Sequence, residues 1–539
     1  MSGRGLPTGC RAEVVGQVPL RPFGRAAIGV GEQGFGGSPK GAQGNLTHYP
    51  DGGVEMTDAL LLPPEERQEL WSRLIGAVET YLRDVGKAPV AAEASADELR
   101  RLLAGWDFSE PVTPATALDF AVESLWRYQV HTPHPRYFGL FNPAPATMGI
   151  AADALVAAFN PQLAAWSHSP FAAEVEQHLV RCLAGRFGYD PAKAEGTFTS
   201  GGAEANLTAV SVALIRAFPE VGRRGLLALR NQPSIYLSTE AHHSFMKAAR
   251  LAGLGTDALR EVAVDTSLRM RPDDLAARLA ADRADGYAPF LVVATAGTTG
   301  AGAIDPILAV AEVAERAGIW LHVDAAWGGA AALLPELRPA LAGIERANSI
   351  TFDPHKWLSM PMGAGLFLTR HPGALERTFR VTAGYMPRAA GLPAGPATAA
   401  DPYLHSIQWS RRFTGLKLFL SLAVAGWQGY EASLRQQVAM GDRLRLGLAA
   451  QGWTVANETP LPLVCFHRGG DGGAARLDAV AADLVASGAA WISTVDLDSE
   501  RVLRACITNY RTTAADVDAL IAALGRAWRR QEARQGVPT

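Results

Sequence analysis

The sequence has little cysteine and no long apolar segment. Its four cysteines, Cys10, Cys182, Cys465 and Cys506, stand far apart and form neither a CxxC pair nor a disulfide framework. The best apolar stretch, Leu418–Trp427, covers ten residues, whereas a membrane-spanning helix needs roughly 18. These absences predict a protein of a reducing compartment without a membrane span, and we therefore place it in the cytoplasm.

Charge of either sign is not in excess. Lys and Arg total 50 against 53 Asp and Glu, which leaves a net charge of −3. Proteins that bind nucleic acid or a membrane surface usually carry a basic excess, so the balance argues against both partners. The amino terminus also lacks the apolar stretch of a secretory signal peptide. With 539 residues, 48% of them hydrophobic, the chain can bury a large core, and we expect a globular enzyme.

The first part of the chain differs from the rest in composition. Residues 1–55 hold 14 glycines and show neither helical nor strand periodicity, which predicts a disordered leader. A helix is predicted over Pro63–Asp84, where leucine and valine recur every four residues.

Short apolar runs alternate with helical stretches between Gly196 and Thr369. This alternation predicts a mostly parallel sheet covered by helices on both faces. One connecting helix is predicted over Asp305–Ala317, with Asp305 as its N-cap before Pro306. The predicted strands are Ser234–Ser238, Val262–Val264, Phe290–Thr295, Ile319–Asp324, Ser349–Phe352 and Gly365–Leu368.

The carboxyl-terminal part is predicted to contain a loop, two helices and a small domain. Ala383–Tyr403 is rich in glycine and proline and is predicted to be a mobile loop. Two helices are predicted at Ser410–Gly426 and Gln428–Gln451. Residues 453–530 mix strand-like and helical patterns, which indicates a small α+β domain.

The segment Thr199–Leu207, with the sequence TSGGAEANL, places two glycines before a helix. A glycine turn at a helix N-terminus presents free amide groups and the positive end of the helix dipole, which suits a phosphate. An ordinary glycine turn is the alternative, because the segment matches neither a Walker A loop nor the dinucleotide GxGxxG pattern.

Two further residues suggest chemistry within the alternating region. Asp324 ends a buried strand, where carboxylates face the ligand crevice of open sheets, although it could also be a helix N-cap. Lys356 lies among apolar residues beside His355, and a desolvated amine has the lowered pKa that bonding to an aldehyde requires. Taken alone, the motif around Lys356 favours a surface lysine.

Histidine pairs raise the question of a metal. The neighbours His242 and His243 follow a predicted strand, and His131 and His134 lie in a proline-rich loop. Neither pair comes with an HExxH motif or an acidic cluster at ligand spacing, so no metal site is predicted.

Four candidate groups follow one another along one α/β unit: a phosphate turn, a stacking imidazole, a carboxylate and an amine. These are the groups that pyridoxal 5′-phosphate needs.

At these motifs the sequence resembles the group II pyridoxal-phosphate-dependent amino-acid decarboxylases, the aromatic-L-amino-acid decarboxylase-like family. The resemblance runs from about Pro63 to Arg526. The motifs that carry it are His134–Phe138, Trp166–Pro170, Thr199–Asn206, Ala241-His242, Thr295–Thr299, His322–Ala326 and Asp353–Trp357.

The resemblance implies an α/β protein with the fold-type I architecture of PLP-dependent transferases. Residues 56–135 would form an N-terminal helical segment and residues 136–440 a large cofactor-binding domain on a mostly parallel seven-stranded sheet. Residues 441–539 would form the small C-terminal α+β domain. The resemblance also implies a homodimer with active sites at the subunit interface.

The same resemblance implies which residues bind the cofactor. Gly202 and Ala203 would hold the phosphate, Asp324 would keep the ring nitrogen protonated, and Lys356 would bond to the aldehyde carbon.

Other residues would surround the ring or act on the substrate. His242 would stack on one ring face and Ala326 would pack on the other, while Thr295 and His355 would line the site. Tyr385 falls where the family carries its mobile-loop tyrosine, which would deliver a proton to the substrate Cα as general acid.

The implied reaction is decarboxylation of an L-amino acid to the corresponding amine and CO2. A fold-type I aminotransferase is an alternative, for which Arg504 could clamp the α-carboxylate, and a decarboxylation-dependent aldehyde synthase is another. The side-chain class of the substrate stays open, because Gln162 and Ala164 depart from the bulky apolar residues of the aromatic members.

Overall fold

A computed structural model describes residues 60–92, 94–381, 401–469 and 473–534 of the chain. The predicted leader, residues 1–55, and Tyr385 with nearly all of its loop lie outside these ranges. From Pro64 onward the described residues cluster into one compact unit. No helix within the described ranges is both long and apolar enough to cross a membrane.

The larger sheet has seven strands. In chain order they are β1 (Glu195–Thr199), β2 (Pro233–Ser238), β3 (Leu259–Val262), β4 (Ala288–Thr295), β5 (Trp320–Asp324), β6 (Ser349–Phe352) and β7 (Gly365–Thr369). Their order across the sheet is β1-β7-β6-β5-β4-β2-β3. Strands β2 to β6 pair in parallel, and β7 runs antiparallel to both β6 and β1. The predicted fold class, with its mostly parallel seven-stranded sheet, is confirmed.

Fourteen helices accompany the two sheets in the described ranges. They are α1 (Pro64–Asp84), α2 (Ala96–Leu103), α3 (Pro114–Arg127), α4 (Thr147–Phe159), α5 (Pro170–Arg186), α6 (Gly202–Ala217), α7 (Val221–Arg224), α8 (Ser244–Leu251), α9 (Pro272–Ala284), α10 (Ile307–Ala317), α11 (Ala374–Phe379), α12 (Gly415–Ala450), α13 (Gly473–Ala486) and α14 (Ala514–Arg534). Local signals set several ends: Thr113 caps α3 ahead of Pro114, and Gly318 ends α10 in the left-handed conformation.

Both faces of the larger sheet are buried. Along β4, Val292 and Ala294 join one apolar cluster, whereas Leu291 and Val293 join another on the opposite face. This alternation follows from the two-residue period of a strand. Helices α5, α9 and α10 cover the first face, and α6 and α8 cover the second. Burial of both faces fixes the parallel strands side by side, with their carboxyl ends along one edge of the sheet.

A smaller antiparallel sheet lies in the carboxyl-terminal part. Its strands are β8 (Thr454–Val455), β9 (Leu463–His467), β10 (Ser493–Leu497) and β11 (Glu500–Cys506), in the order β10-β11-β9-β8. Helices α13 and α14 pack on it around a separate apolar cluster that includes Phe466 and Trp528. This arrangement agrees with the predicted small α+β unit, while the exact domain boundaries stay a prediction.

The two helices predicted on either side of Gly426 are confirmed as the two arms of α12, which kinks where Gly426 takes a non-helical φ of 61°. Two other local predictions are wrong. The strand expected at Val262–Val264 is β3, which ends at Val262. Asp305 does not cap α10, because its buried carboxylate accepts hydrogen bonds from the amides of Met270 and Thr295, each at 2.7 Å.

Gly365 allows the first strand and the turn after it to approach the sheet closely. A Cβ atom on Gly365 would lie 2.5 Å from Thr199 Oγ1 and 2.6 Å from Gly201 Cα. Both distances are too short for any real contact, and the Gly201 backbone cannot give way as a flexible side chain could.

We therefore predict that Gly365→Ala lowers the free energy of unfolding by about 1–3 kcal/mol, the usual cost of overpacking. Thermal unfolding of the purified variant measures this loss. Gly105→Ala is the matched control, because no atom lies within 4 Å of its added Cβ. An unchanged midpoint for Gly365→Ala would show that the turn moves aside freely.

Candidate active site

One cavity lies at the carboxyl edge of the larger sheet. Strands β1, β4, β5 and β6 all point toward this edge, so the residues that follow them converge there, as in other open α/β sheets. The cavity has a volume of about 290 Å³. All eight residues expected to bind the cofactor line it, namely Gly202, Ala203, His242, Thr295, Asp324, Ala326, His355 and Lys356.

Asp324 is the buried carboxylate of this cavity, with 5% of its surface exposed. Its Oδ2 accepts a hydrogen bond of 2.8 Å from Asn206 Nδ2, and its Oδ1 accepts one of 3.1 Å from the amide of Ala326. A buried carboxylate is costly unless it is hydrogen-bonded, and here both oxygens have donors. The carboxylate is therefore held in one orientation.

Asn206 stands at the centre of a buried polar network. Its Nδ2 also donates to Ser244 Oγ at 2.9 Å, and its Oδ1 accepts from Thr351 Oγ1 at 2.7 Å. His322 Nε2 lies 3.2 Å from the same Oδ1, and burial lowers the pKa of His322 to about 4. The amide of Asn206 thus joins helix α6 to strands β5 and β6 behind the Asp324 carboxylate.

His242 joins the same network from the loop after β2. Its Nδ1 lies 2.9 Å from Ser244 Oγ, the hydroxyl that Asn206 also contacts. This contact fixes one edge of the imidazole, while the ring itself lines the cavity and is exposed in the single chain. The face of the ring is therefore free to meet a planar ligand.

The amine of Lys356 pairs with a carboxylate that follows β6. Lys356 Nζ lies 3.1 Å from Asp353 Oδ2, and that same oxygen accepts a hydrogen bond of 3.0 Å from the amide of Gly202. Asp353 is 1% exposed, and its other oxygen has no partner among the described residues. Asp353 Oδ2 thus contacts both the amine of Lys356 and the glycine turn at Gly202.

Two more predicted residues are held by backbone contacts. The amide of Thr295 donates to buried Asp305, whereas Thr295 Oγ1 is buried without a hydrogen-bond partner among the described residues. Burial raises the pKa of Asp305 to about 6. His355 Nδ1 lies 2.9 Å from the carbonyl oxygen of Ala364, and burial lowers the pKa of His355.

Phe141 and Arg504 lie next to Lys356. The Phe141 ring stacks on Trp327 with centroids 4.5 Å apart, and Lys356 Nζ lies 5.8 Å from its centre. Arg504 Cζ lies 5.0 Å from the same ring. Arg504 donates to the carbonyls of Thr299 and Gly139, but its Nη2 is buried without a partner among the described residues.

The residues of the cavity fit pyridoxal 5′-phosphate. The cofactor needs an amine, a carboxylate, a flat stacking group and donors for its phosphate. The cavity offers Lys356, Asp324, His242 and the amino-terminal end of α6. Gly202 leaves room at that end, since a Cβ there would lie 2.8 Å from Asp353 Oδ2.

The sequence interpretation missed the role of some residues and misplaced others. Asn206 and Asp353 belong to motifs that carry the resemblance but received no role, and neither did Phe141. The available signals were the place of Asn206 in the glycine motif and that of Asp353 three residues before Lys356. Gln162 lies outside the cavity of its own chain, is exposed, and donates to Ser410 Oγ at 3.1 Å. Ala164 does not line the cavity either.

Comparison with known proteins agrees with this site. Residues 101–468 match the pyridoxal-dependent decarboxylase conserved domain. The aromatic-L-amino-acid decarboxylase of Bacillus atrophaeus is 29% identical, over 86% of this chain and 95% of its own. The L-2,4-diaminobutyrate decarboxylase of Rhizobium meliloti is 32% identical, over 75% of this chain and 80% of its own. The crystal structure of mouse CSAD has a TM-score of 0.81 at 28% identity and covers 86% of this chain and 99% of its own.

The fold and the cavity define a fold-type I, pyridoxal-phosphate-dependent enzyme. The chain belongs to the pyridoxal-dependent decarboxylase family. It is a carboxy-lyase that uses pyridoxal 5′-phosphate to remove the carboxylate of an amino acid.

We predict that Asn206→Ala destabilises the protein by about 1–3 kcal/mol, because it leaves the buried Asp324 Oδ2 without its donor, whereas Ser244 and Thr351 keep His242 and His322 as partners. Chemical denaturation of the cofactor-free protein measures the loss. The matched control is Ser211→Ala on the same helix, whose hydroxyl contacts only the nearby carbonyl of Leu207. Equal stability of the two variants would mean that the network is not important for folding.

Proposed function

We propose that the enzyme converts an L-amino acid to the corresponding primary amine and CO2, with Lys356 and Asp324 as central catalytic residues. The observation that carries this proposal is one cavity that holds a buried, doubly hydrogen-bonded carboxylate together with a lysine amine. When bound, pyridoxal phosphate supplies the aldehyde that takes up the substrate amine and the ring that accepts the electron pair left by CO2.

Asp324 acts by its charge. Its carboxylate would keep a proton on the ring nitrogen of the bound cofactor, and Asn206 holds Oδ2 in place. Such preorganised electrostatic stabilisation is worth most in a water-poor site, and Asp324 is almost fully buried.

Lys356 supplies the amine that anchors the cofactor between turnovers. Asp353 holds that amine at 3.1 Å, beside the turn at Gly202 and Ala203 that receives the phosphate. His242 and Ala326 would take the two faces of the ring, while Thr295 and His355 would line the site, as the resemblance implies.

Arg504 is positioned to hold a substrate carboxylate. Its guanidinium is 3% exposed, and Nη2 lacks a partner among the described residues. A buried cationic group with an unused donor costs free energy, which a carboxylate would recover. Thr299, whose carbonyl receives Nε, lines the cavity. Arg504 would thus fix the orientation of the carboxylate that leaves.

The side chain of the substrate is open among the classes that the relatives represent. One relative is named for aromatic amino acids and another for 2,4-diaminobutyrate.

We also propose a homodimer in the cytoplasm. Helices α1, α2 and α3 bury no residue within the chain, and Trp71 and Ile75 on α1 are 54% and 58% exposed. A second copy of the chain would cover these faces.

We predict that the purified holoenzyme releases CO2 and amine in equal amounts from at least one L-amino acid, without a 2-oxo acid. The test uses carboxyl-labelled amino acids, including aromatic ones, 2,4-diaminobutyrate and cysteine sulfinate, with mass spectrometry of gas and amine. A strict need for a 2-oxo acid, with no labelled CO2, would identify an aminotransferase instead.

The variant Asp324→Asn keeps the shape of the side chain but loses its charge, so its turnover should fall about 100-fold or more.

We further predict that Tyr385 protonates Cα in the partner's active site. Tyr385→Phe keeps the ring but removes the acid, so the variant should release less amine and more aldehyde, with ammonia and peroxide. Mixed dimers of Lys356→Ala and Tyr385→Phe subunits would then contain one complete site, and about half of the wild-type activity per mixed dimer should return.

The products of the wild-type enzyme test for an aldehyde synthase, and the activity of the mixed dimers tests which subunit Tyr385 serves. If wild-type protein itself yields aldehyde and peroxide, the enzyme is an aldehyde synthase. If mixing the Lys356→Ala and Tyr385→Phe variants restores no amine release although mixed dimers form, Tyr385 serves its own subunit or is not the acid.

A further inference from the structure

A second cavity opens at the opposite edge of the larger sheet. It lies at the amino-terminal ends of β4 and β5, between the last turns of α6 and α10, and has a volume of about 720 Å³. That volume is in the range of small-molecule sites, roughly 300–1,000 Å³. The catalytic cavity lies at the carboxyl ends of the same strands, so the two are separate.

Cationic side chains dominate the wall of this cavity, which we call the arginine cavity. Four arginines and His371 line it, and Glu315 is the one acidic residue among the described lining residues. The arginines are Arg216, Arg283, Arg346 and Arg370. They come from separate parts of the chain, so only the fold brings them together.

The single carboxylate of the arginine cavity is already paired. Glu315 accepts hydrogen bonds from Arg346, at 3.0 Å to Nε, and the nearby charge of Arg370 also helps to lower the pKa of Glu315. Arg346 lies 3.8 Å from a second carboxylate, that of Glu312.

The other three arginines form no ion pair with any described residue. Arg283 donates to the carbonyl of Ala317 at 2.6 Å, a neutral partner, and Arg216 and Arg370 form no side-chain hydrogen bond with a described residue. Their guanidinium groups are therefore available to an anion.

His371 does not add to the positive charge of the cavity. Its Nε2 accepts a hydrogen bond of 2.7 Å from Asn348 Nδ2, as a neutral imidazole does. Burial, and then the nearby charges of Arg370 and Arg216, lower the pKa of His371. The histidine thus stays neutral and leaves the arginines to set the potential of the cavity.

We propose that the arginine cavity binds a polyvalent small-molecule anion, with phosphate or carboxylate groups held by Arg216, Arg283 and Arg370. Guanidinium groups bind both kinds of oxyanion through paired hydrogen bonds. Uncompensated charges in a concave surface concentrate the positive potential that attracts such a ligand. Tyr287 and Trp320 in the wall provide apolar surface for the rest of the molecule.

The test uses the full-length holoenzyme, so that bound cofactor occupies the catalytic phosphate position. Isothermal titration calorimetry with pyrophosphate and with citrate, at low and at physiological salt, distinguishes a phosphate from a carboxylate ligand. We expect at least one of the two to bind once per chain, more weakly at higher salt, without changing the visible absorption of the cofactor.

The variant Arg216→Gln/Arg370→Gln should weaken that binding about tenfold or more, since hydrogen bonds to charged groups contribute about 1.5–3 kcal/mol each. Arg250→Gln/Arg526→Gln is the matched control, because both of these arginines are exposed and lie outside the arginine cavity. The control should bind like the wild type.

Three results would overturn the proposal. In the first, neither anion binds to the wild type. In the second, both double variants bind equally well, which would make the arginines a solvated surface. In the third, an RNA oligonucleotide binds through Arg216 and Arg370 while neither small anion does.

Discussion

The hydrogen bond from Asn206 to Asp324 is the interaction on which the catalytic edge of the sheet depends. It joins the first turns of α6 to the end of β5, across 118 residues of sequence, at a length of 2.8 Å. Because the carboxylate is buried, it is costly unless donors satisfy it, and the Asn206 donor also fixes its orientation. The same amide binds Thr351 on β6 and Ser244 at the start of α8. One side chain thus fixes the spacing of four elements around the cofactor cavity.

Much of this site could be predicted from the sequence, because its residues follow buried strands whose ends must meet. Asp324 is the last residue of β5, Lys356 lies four residues beyond the end of β6, and Gly202 opens a helix in a turn with two glycines. The partners that hold them could not be predicted in the same way. Asn206 sits on a helix and acts through contacts with three distant elements, which no local spacing reveals. Asp305 has the local pattern of a helix cap, yet distant amides at Met270 and Thr295 compete for its carboxylate.

The described residues of one chain leave the catalytic cavity open on one side. His242 lines the cavity but is exposed, whereas the opposite wall, formed by Asp324 and Ala326, is backed by the packed sheet. Apolar side chains are also exposed on α1, including Trp71 and Ile75. Water must be kept from a carbanion until its proton arrives, and an open cavity cannot do this. The proposed homodimer, with a tyrosine loop from the partner, supplies the missing cover and accounts for the exposed helices together.

The two cavities of the sheet share one rigid interior. Trp320 forms part of the arginine cavity, and its Nε1 donates to Ser349 Oγ at 2.8 Å. That hydroxyl lies 2.8 Å from His322 Nδ1, and His322 in turn contacts Asn206. A chain of contacts transmits a signal only if it has two stable arrangements, and this one is buried and fully hydrogen-bonded in the arrangement described. An anion at the arginine cavity should therefore act through the folded state that it stabilises, raising the unfolding midpoint, rather than through the rate of decarboxylation.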